Sequence, residues 1–193
     1  MVTILRGILL SFLFIGCVSN RDGFSIYKTP PFTDVSNICI KTNGAYVRDY
    51  GSLFFYNNGL VKRVLIDSSE VSSYDWSSNK IKKESTRYDD NDEFWGHYIC
   101  EGNELRLQIF NKHNQEIVKR RVYENKIRIN KDSTLSIYSS VWLSGLHKDY
   151  INNDDTISKP DVFRFYKTKN KPDSTKAWFI NKKWYKNNLY LNQ

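Results

Sequence analysis

The chain has 193 residues, 40% of them hydrophobic and 15% aromatic. That length holds one domain with a real core, and an aromatic share dominated by Tyr and Phe suits strands better than helices. Lys and Arg outnumber Asp and Glu by 29 to 21, a formal charge of +8, yet no run alternates aromatic and basic residues as a single-strand platform would, so nucleic acid is not an expected partner.

Taken in chain order, Arg6 supplies a minimal positive start. Residues 8–15 form an apolar run of signal-peptide length, too short to span a membrane. The run ends in Leu13-Phe14-Ile15-Gly16-Cys17, which resembles a bacterial lipobox. Gly16 and Cys17 match its invariant part, and Phe14 stands where Leu is usual. The resemblance implies a signal peptide over residues 1–16, cleavage before Cys17 and lipid attachment at Cys17. Several acyl chains, each worth about 0.8 kcal/mol per buried methylene, hold a protein firmly to a membrane. An ordinary secretory signal with a chance cysteine is the alternative. Residues 17–36 read as a flexible tether, polar and interrupted by Pro30-Pro31. Without an acidic cluster in residues 18–22, the expected location is the outer membrane, facing the periplasm.

The folded domain is expected over residues 37–193. Ile38 and Ile40 alternate with Cys39 and Lys41, then Asn43-Gly44 breaks the pattern as a turn or bulge before Tyr46 and Val47. Residues 53–56 are a continuous apolar run. Asn57-Asn58-Gly59 supplies residues that tolerate positive φ, and residues 60–66 return as the partner strand. Residues 67–93 are polar and weakly patterned, a length that is often functional in a compact domain. Within them, Tyr88 to Glu93 are acidic but lack the glycine and spacing of a calcium loop, so no metal is expected.

Residues 95–139 carry the clearest pattern. Ile99 and Cys100 lead into a turn at Glu101-Gly102-Asn103. Leu105, Leu107 and Ile109 then share one face, and Glu104, Arg106 and Gln108 the other, which is the period of a half-buried strand. Segments 116–124, 127–130 and 134–139 follow, separated by turns at Glu124-Asn125-Lys126 and Lys131-Asp132-Ser133. Strands this short with links this short must be antiparallel neighbours. Phe163 and Phe165 mark a last strand over 162–166, and the Trp-rich tail carries enough apolar surface to require docking. The count is eight or nine strands, an all-β fold. An antiparallel sheet of that size closes into an up-and-down barrel whose interior is filled by side chains or holds one small ligand.

Cys39 and Cys100 both lie in expected strands. One disulfide, suited to an oxidising envelope, and two buried free thiols both remain open, because sequence does not supply the Cα separation.

Several of these segments together resemble the small lipocalin-like lipoproteins of Bacteroidota envelopes. They are Thr42-Asn43-Gly44-Ala45-Tyr46-Val47, Leu53-Phe54-Phe55-Tyr56-Asn57-Asn58-Gly59, Trp95-Gly96-His97-Tyr98-Ile99, Gly102-Asn103-Glu104-Leu105 and Asp132-Ser133-Thr134-Leu135. The resemblance spans most of residues 40–166 and implies a lipocalin-like barrel. It is nearly silent on function.

Chemistry needs convergent groups, and the chain offers three histidines: His97, His113 and His147. His97 alternates with Trp95 and Ile99 and is expected to point into the barrel; the other two fall in polar loops. There is no nucleophile-elbow, zincin or phosphate-loop motif, so an enzyme and a cofactor are not expected. The first functional expectation is a binding module for a small apolar or amphipathic ligand. Its lining would come from Phe54, His97, Leu105, Leu107, Ile109, Phe163 and Phe165, whose plain alternative is barrel core. The second is a solid barrel that docks to an envelope protein through its aromatic tail or the 67–93 segment. A small hydrolase or isomerase using His97 comes third.

Overall fold

Eight antiparallel strands close on themselves in sequence order. In the computed structural model they are β1 (Gly44–Arg48), β2 (Gly51–Phe55), β3 (Leu60–Val64), β4 (Trp95–Glu101), β5 (Glu104–Lys112), β6 (Arg120–Ile129), β7 (Leu135–Trp142) and β8 (Asp161–Lys167). The last strand closes on the first, with Phe165 opposite Tyr46. Every described strand thus has a partner on both sides, the β7–β8 ladder being short and confined to Leu135–Ile137. The structure describes residues 24–26, 39–49, 51–66, 71, 94–112, 120–143 and 161–190. Cys17, His113, His147 and the acidic stretch 88–93 lie outside them.

The two ends of the cylinder differ. One end, the base, carries the β2–β3, β4–β5 and β6–β7 turns. Gly59 and Gly102 adopt φ of +80° and +64°, and Ser133 a φ of 63°. Asp132 accepts from the Thr134 amide at 3.0 Å, which steadies the last of these turns. The segments 65–94, 113–119 and 143–160 all join strands at the other end, the mouth.

The expected turn at Glu124-Asn125-Lys126 does not occur; β6 runs unbroken through it. Three polar residues in a row look like a corner, but each is placed by its neighbours. Glu124 faces outward and accepts from Arg106 at 3.0 Å and from Gln108 at 2.8 Å. Asn125 faces inward opposite Leu107. The irregularity falls on the partner strand instead. Lys126 opposes Ser139 while Ile127 opposes Ile137, so Tyr138 is the extra residue of a bulge.

Alternation places one set of side chains inside. Tyr46, Phe55, Tyr98 and Phe165 meet edge-on, with ring centroids 5.0 to 5.6 Å apart. Leu105, Leu107 and Ile109 are fully buried in the same cluster, joined by Phe163. The base of the barrel is therefore packed with touching rings and aliphatics. Cys39 and Cys100 are bonded there, their Cα atoms 6.1 Å apart. The bond ties the strap 39–43 across the base, where the Lys41 amide donates to the Tyr46 hydroxyl at 3.1 Å.

Much of the outer wall is buried as well. Phe54 packs with Ala45, Val47, Val64, Ile66 and Val71 in one outer cluster. Leu60, Trp95, Phe110 and Val122 lie under Phe24 and the C-terminal tail in another. The tail descends from β8 through a 3-10 turn (Ser174–Lys176) capped by Asp173 and ends in helix α1 (Lys183–Tyr190). Phe179 and Tyr185 are its buried anchors. Lys171 locks its start to the base, donating to the carbonyls of Thr42 at 2.6 Å and Phe55 at 3.0 Å.

Residues 24–26 fall within the segment expected to be a flexible tether, yet they are part of this packing. Phe24 sits between Phe110, Phe179 and Trp184. The amides of Ser25 and Ile26 donate to Gln108 Oε1 at 2.8 and 3.1 Å. Gln108 in turn donates to Glu124, which is held by Arg106, so a chain of polar side chains fixes residues 24–26.

Candidate functional site

The residues expected to line a cavity divide into two groups. Leu105, Leu107, Ile109, Phe163 and Phe165 face inward, where they form the packed core of the cylinder. Phe54 and His97 face outward, contrary to expectation. The reason is the same for both: where both faces of a strand are buried, hydrophobicity does not reveal its phase. Phe54 belongs to the cluster around Val71, while Leu53 and Phe55 point inside.

On β4 the inward set is Gly96, Tyr98 and Cys100. Val61, Gly96 and Ile109 stand side by side, and a side chain at Gly96 would strike the backbone of Gln108 and Ile109. His97 therefore lies outside, covered by α1, with its ring 6.4 Å from that of Tyr185. It is only 2% exposed. Its ring occupies the space where Gly59 has no side chain, and neither ring nitrogen has a hydrogen-bond partner. Burial pushes its pKa down to about 4, against a smaller opposing pull from the Tyr98 backbone, which lies outside hydrogen-bonding geometry. The imidazole is neutral at physiological pH and closed to solvent. A substrate has no access to it.

The inner wall changes character toward the mouth. Arg48 on β1 and Arg63 on β3 both follow the inward phase set by Tyr46 and Val61. Arg63 reaches across the lumen to β6 and donates from Nη1 to the Tyr123 hydroxyl at 2.8 Å. The Arg48 guanidinium lies over the Phe163 ring at 5.0 Å and pairs through Nη1 with Asp161 at the start of β8. Gly51 stands opposite Arg48 across the β1–β2 pair. Trp142 packs edge-on against Tyr123 at 5.6 Å, and buried Asn125 lies one inward position deeper. Burial first, and then the charge of Arg63, hold the Arg48 guanidinium below the usual arginine range.

This arrangement offers donors and aromatic walls above an apolar floor. Among the described residues, no group of three His, Cys, Asp or Glu side chains converges. The two arginines were visible in the sequence only as basic residues in apolar strands. Nothing local signals that strands so far apart in sequence place them on one lumen.

No protein-family model, curated protein or solved structure matches the chain.

Proposed function

We propose that the chain is a lipid-anchored envelope protein whose barrel binds one small amphipathic molecule at its mouth. The observation that carries the reading is the inner wall itself. It is filled with touching rings at the base and turns polar and aromatic at Arg48, Arg63, Tyr123 and Trp142. An apolar floor with a few convergent polar groups is the usual composition of a small-ligand site. The envelope setting draws support from the lipobox-like Cys17 and from the Cys39–Cys100 bond, which suits an oxidising compartment.

Two measurements test this. A neutral naphthylamine dye should bind with a saturable fluorescence rise at a ratio of one per chain; no saturation with it, or with any alkyl amphiphile, removes the binding reading. Globomycin should make the unprocessed precursor accumulate in cells; unchanged processing removes the lipid anchor.

A second reading, a barrel that docks to an envelope protein, rests on a different surface from the one the sequence suggested. The aromatic tail is occupied by its own barrel. Val162 and Tyr166, however, are 42% and 43% exposed and flank Arg164 on the outer face of β8. A photocrosslinking residue at Tyr166 that captures no envelope protein in the cell would remove it.

A further inference from the structure

Arg63 is a half-buried guanidinium that faces the lumen, and among the described residues no carboxylate lies within ion-pair distance of it. Its side-chain hydrogen bond goes to a neutral phenol, that of Tyr123. Arg48 projects into the same lumen, its pair with Asp161 is shared with solvent because the Asp161 side chain is 52% exposed, and its buried Nε has no partner. Among the described residues, Asp161 is the carboxylate that pairs directly with Arg48, with Asp49 acting on it through charge alone. Taking a charge out of water is costly unless an opposite charge and hydrogen bonds compensate it.

Among the described residues, the two guanidinium groups have donors left over. Arg48 offers Nε, and Arg63 offers the N–H groups not given to Tyr123. Tyr123 accepts from Arg63 and keeps its own proton to give. A planar, two-oxygen anion satisfies such a set, because guanidinium and carboxylate meet through paired N–H···O bonds. The surroundings set the rest of the ligand. Phe163 lies under Arg48, Leu53 stands opposite Arg63, and Trp142 walls the far side of Tyr123.

We infer that the mouth of the barrel recognises the carboxylate of an amphipathic monocarboxylic acid, its head between Arg48 and Arg63 and its apolar part against Trp142, Tyr123 and Phe163. This rests on the ligand-binding reading above and adds the charge and class of the ligand. Asp161 is the intramolecular competitor: it occupies Arg48 when no ligand does, and leaves toward solvent when one binds.

The test compares decanoate with decanol, which share a chain and differ in the head. It uses the secreted chain from Val18 on, which contains every described residue. Affinities are read by ligand-observed NMR titration at pH 7.5. Hydrogen bonds to a charged partner are worth about 1.5–3 kcal/mol, so decanoate should bind roughly ten-fold or more tighter than decanol. Arg63→Met should bring that ratio close to one. Asp161→Asn, a change at the exposed rim, should raise it. Equal affinity for acid and alcohol in the wild-type protein overturns the carboxylate assignment while leaving the binding reading intact. Binding of neither compound overturns both. If Arg63→Met does not fold, the Asp161→Asn ratio decides, and a ratio that stays level or falls overturns the assignment.

Discussion

Replacing His97 by Gln should flatten the acid side of the stability profile. The imidazole is buried under α1, without a hydrogen-bond partner for either nitrogen, and its pKa is depressed from 6.5 to about 4. In the unfolded chain it takes up a proton below 6.5; in the folded chain it does so only near 4. Between those values the unfolded state binds more protons, so stability falls as the pH is lowered. The contribution is complete above the unfolded value and is lost through that window. At about 1.36 kcal/mol per unit, moving from pH 7 to pH 4.5 removes roughly 2.5 kcal/mol through this one group. For a domain of this size that corresponds to a fall in Tm of roughly 5–10 °C. Glutamine keeps a flat polar end against Gly59 and does not titrate. Urea unfolding followed by tryptophan fluorescence at pH 7, 6, 5 and 4.5 reads the effect directly. Both proteins lose some stability as carboxylates protonate, and the difference between their slopes isolates residue 97. Parallel curves would show that His97 is not a buried neutral group in the folded protein.

Other perturbations follow from the same contacts. Serine at both Cys39 and Cys100 opens a link between residues 61 apart in sequence, a loop whose closure is worth roughly 4 kcal/mol by chain entropy; calorimetry showing a loss under 1 kcal/mol would contradict this. Gly59→Ala meets both a φ of +80° and the His97 ring, and should cost more than about 2 kcal/mol, read as a lowered urea midpoint. Gln108→Leu removes the acceptor of the Ser25 and Ile26 amides, and should cost about 1–3 kcal/mol while exposing those two amides to fast hydrogen exchange. Unchanged protection at residues 25 and 26 would mean that Phe24 alone holds this segment. Lys171→Met should raise the exchange rate of α1 amides, since the ammonium ties the start of the tail to two backbone carbonyls; an unmoved α1 would place the anchoring wholly in Phe179 and Tyr185.

The pattern of residues 104–109 was legible because one face of β5 near the base is exposed at Glu104 and half-exposed at Arg106, so water reads the difference between the faces. The corner at Asn57-Asn58-Gly59 was legible because positive φ restricts which residues serve. The phases of β2 and β4 were not legible. Phe54 and His97 look like lumen residues until the outer wall is known to be covered by Val71, Phe24 and the tail. Asn125 shows the same limit from the other side: a polar triplet reads as a corner unless its partners across the sheet are known.

Alone, the order of residues settled the fold class, the number of strands to within one and most turns, because alternation and backbone sterics act over a few neighbouring positions. Tertiary closure decided which face became the lumen, joined Cys39 to Cys100, laid residues 24–26 against Gln108 and turned Arg48 and Arg63 onto one mouth. Those outcomes depend on contacts between strands distant in sequence, and only the geometry of a closed cylinder brings such strands within reach of one another.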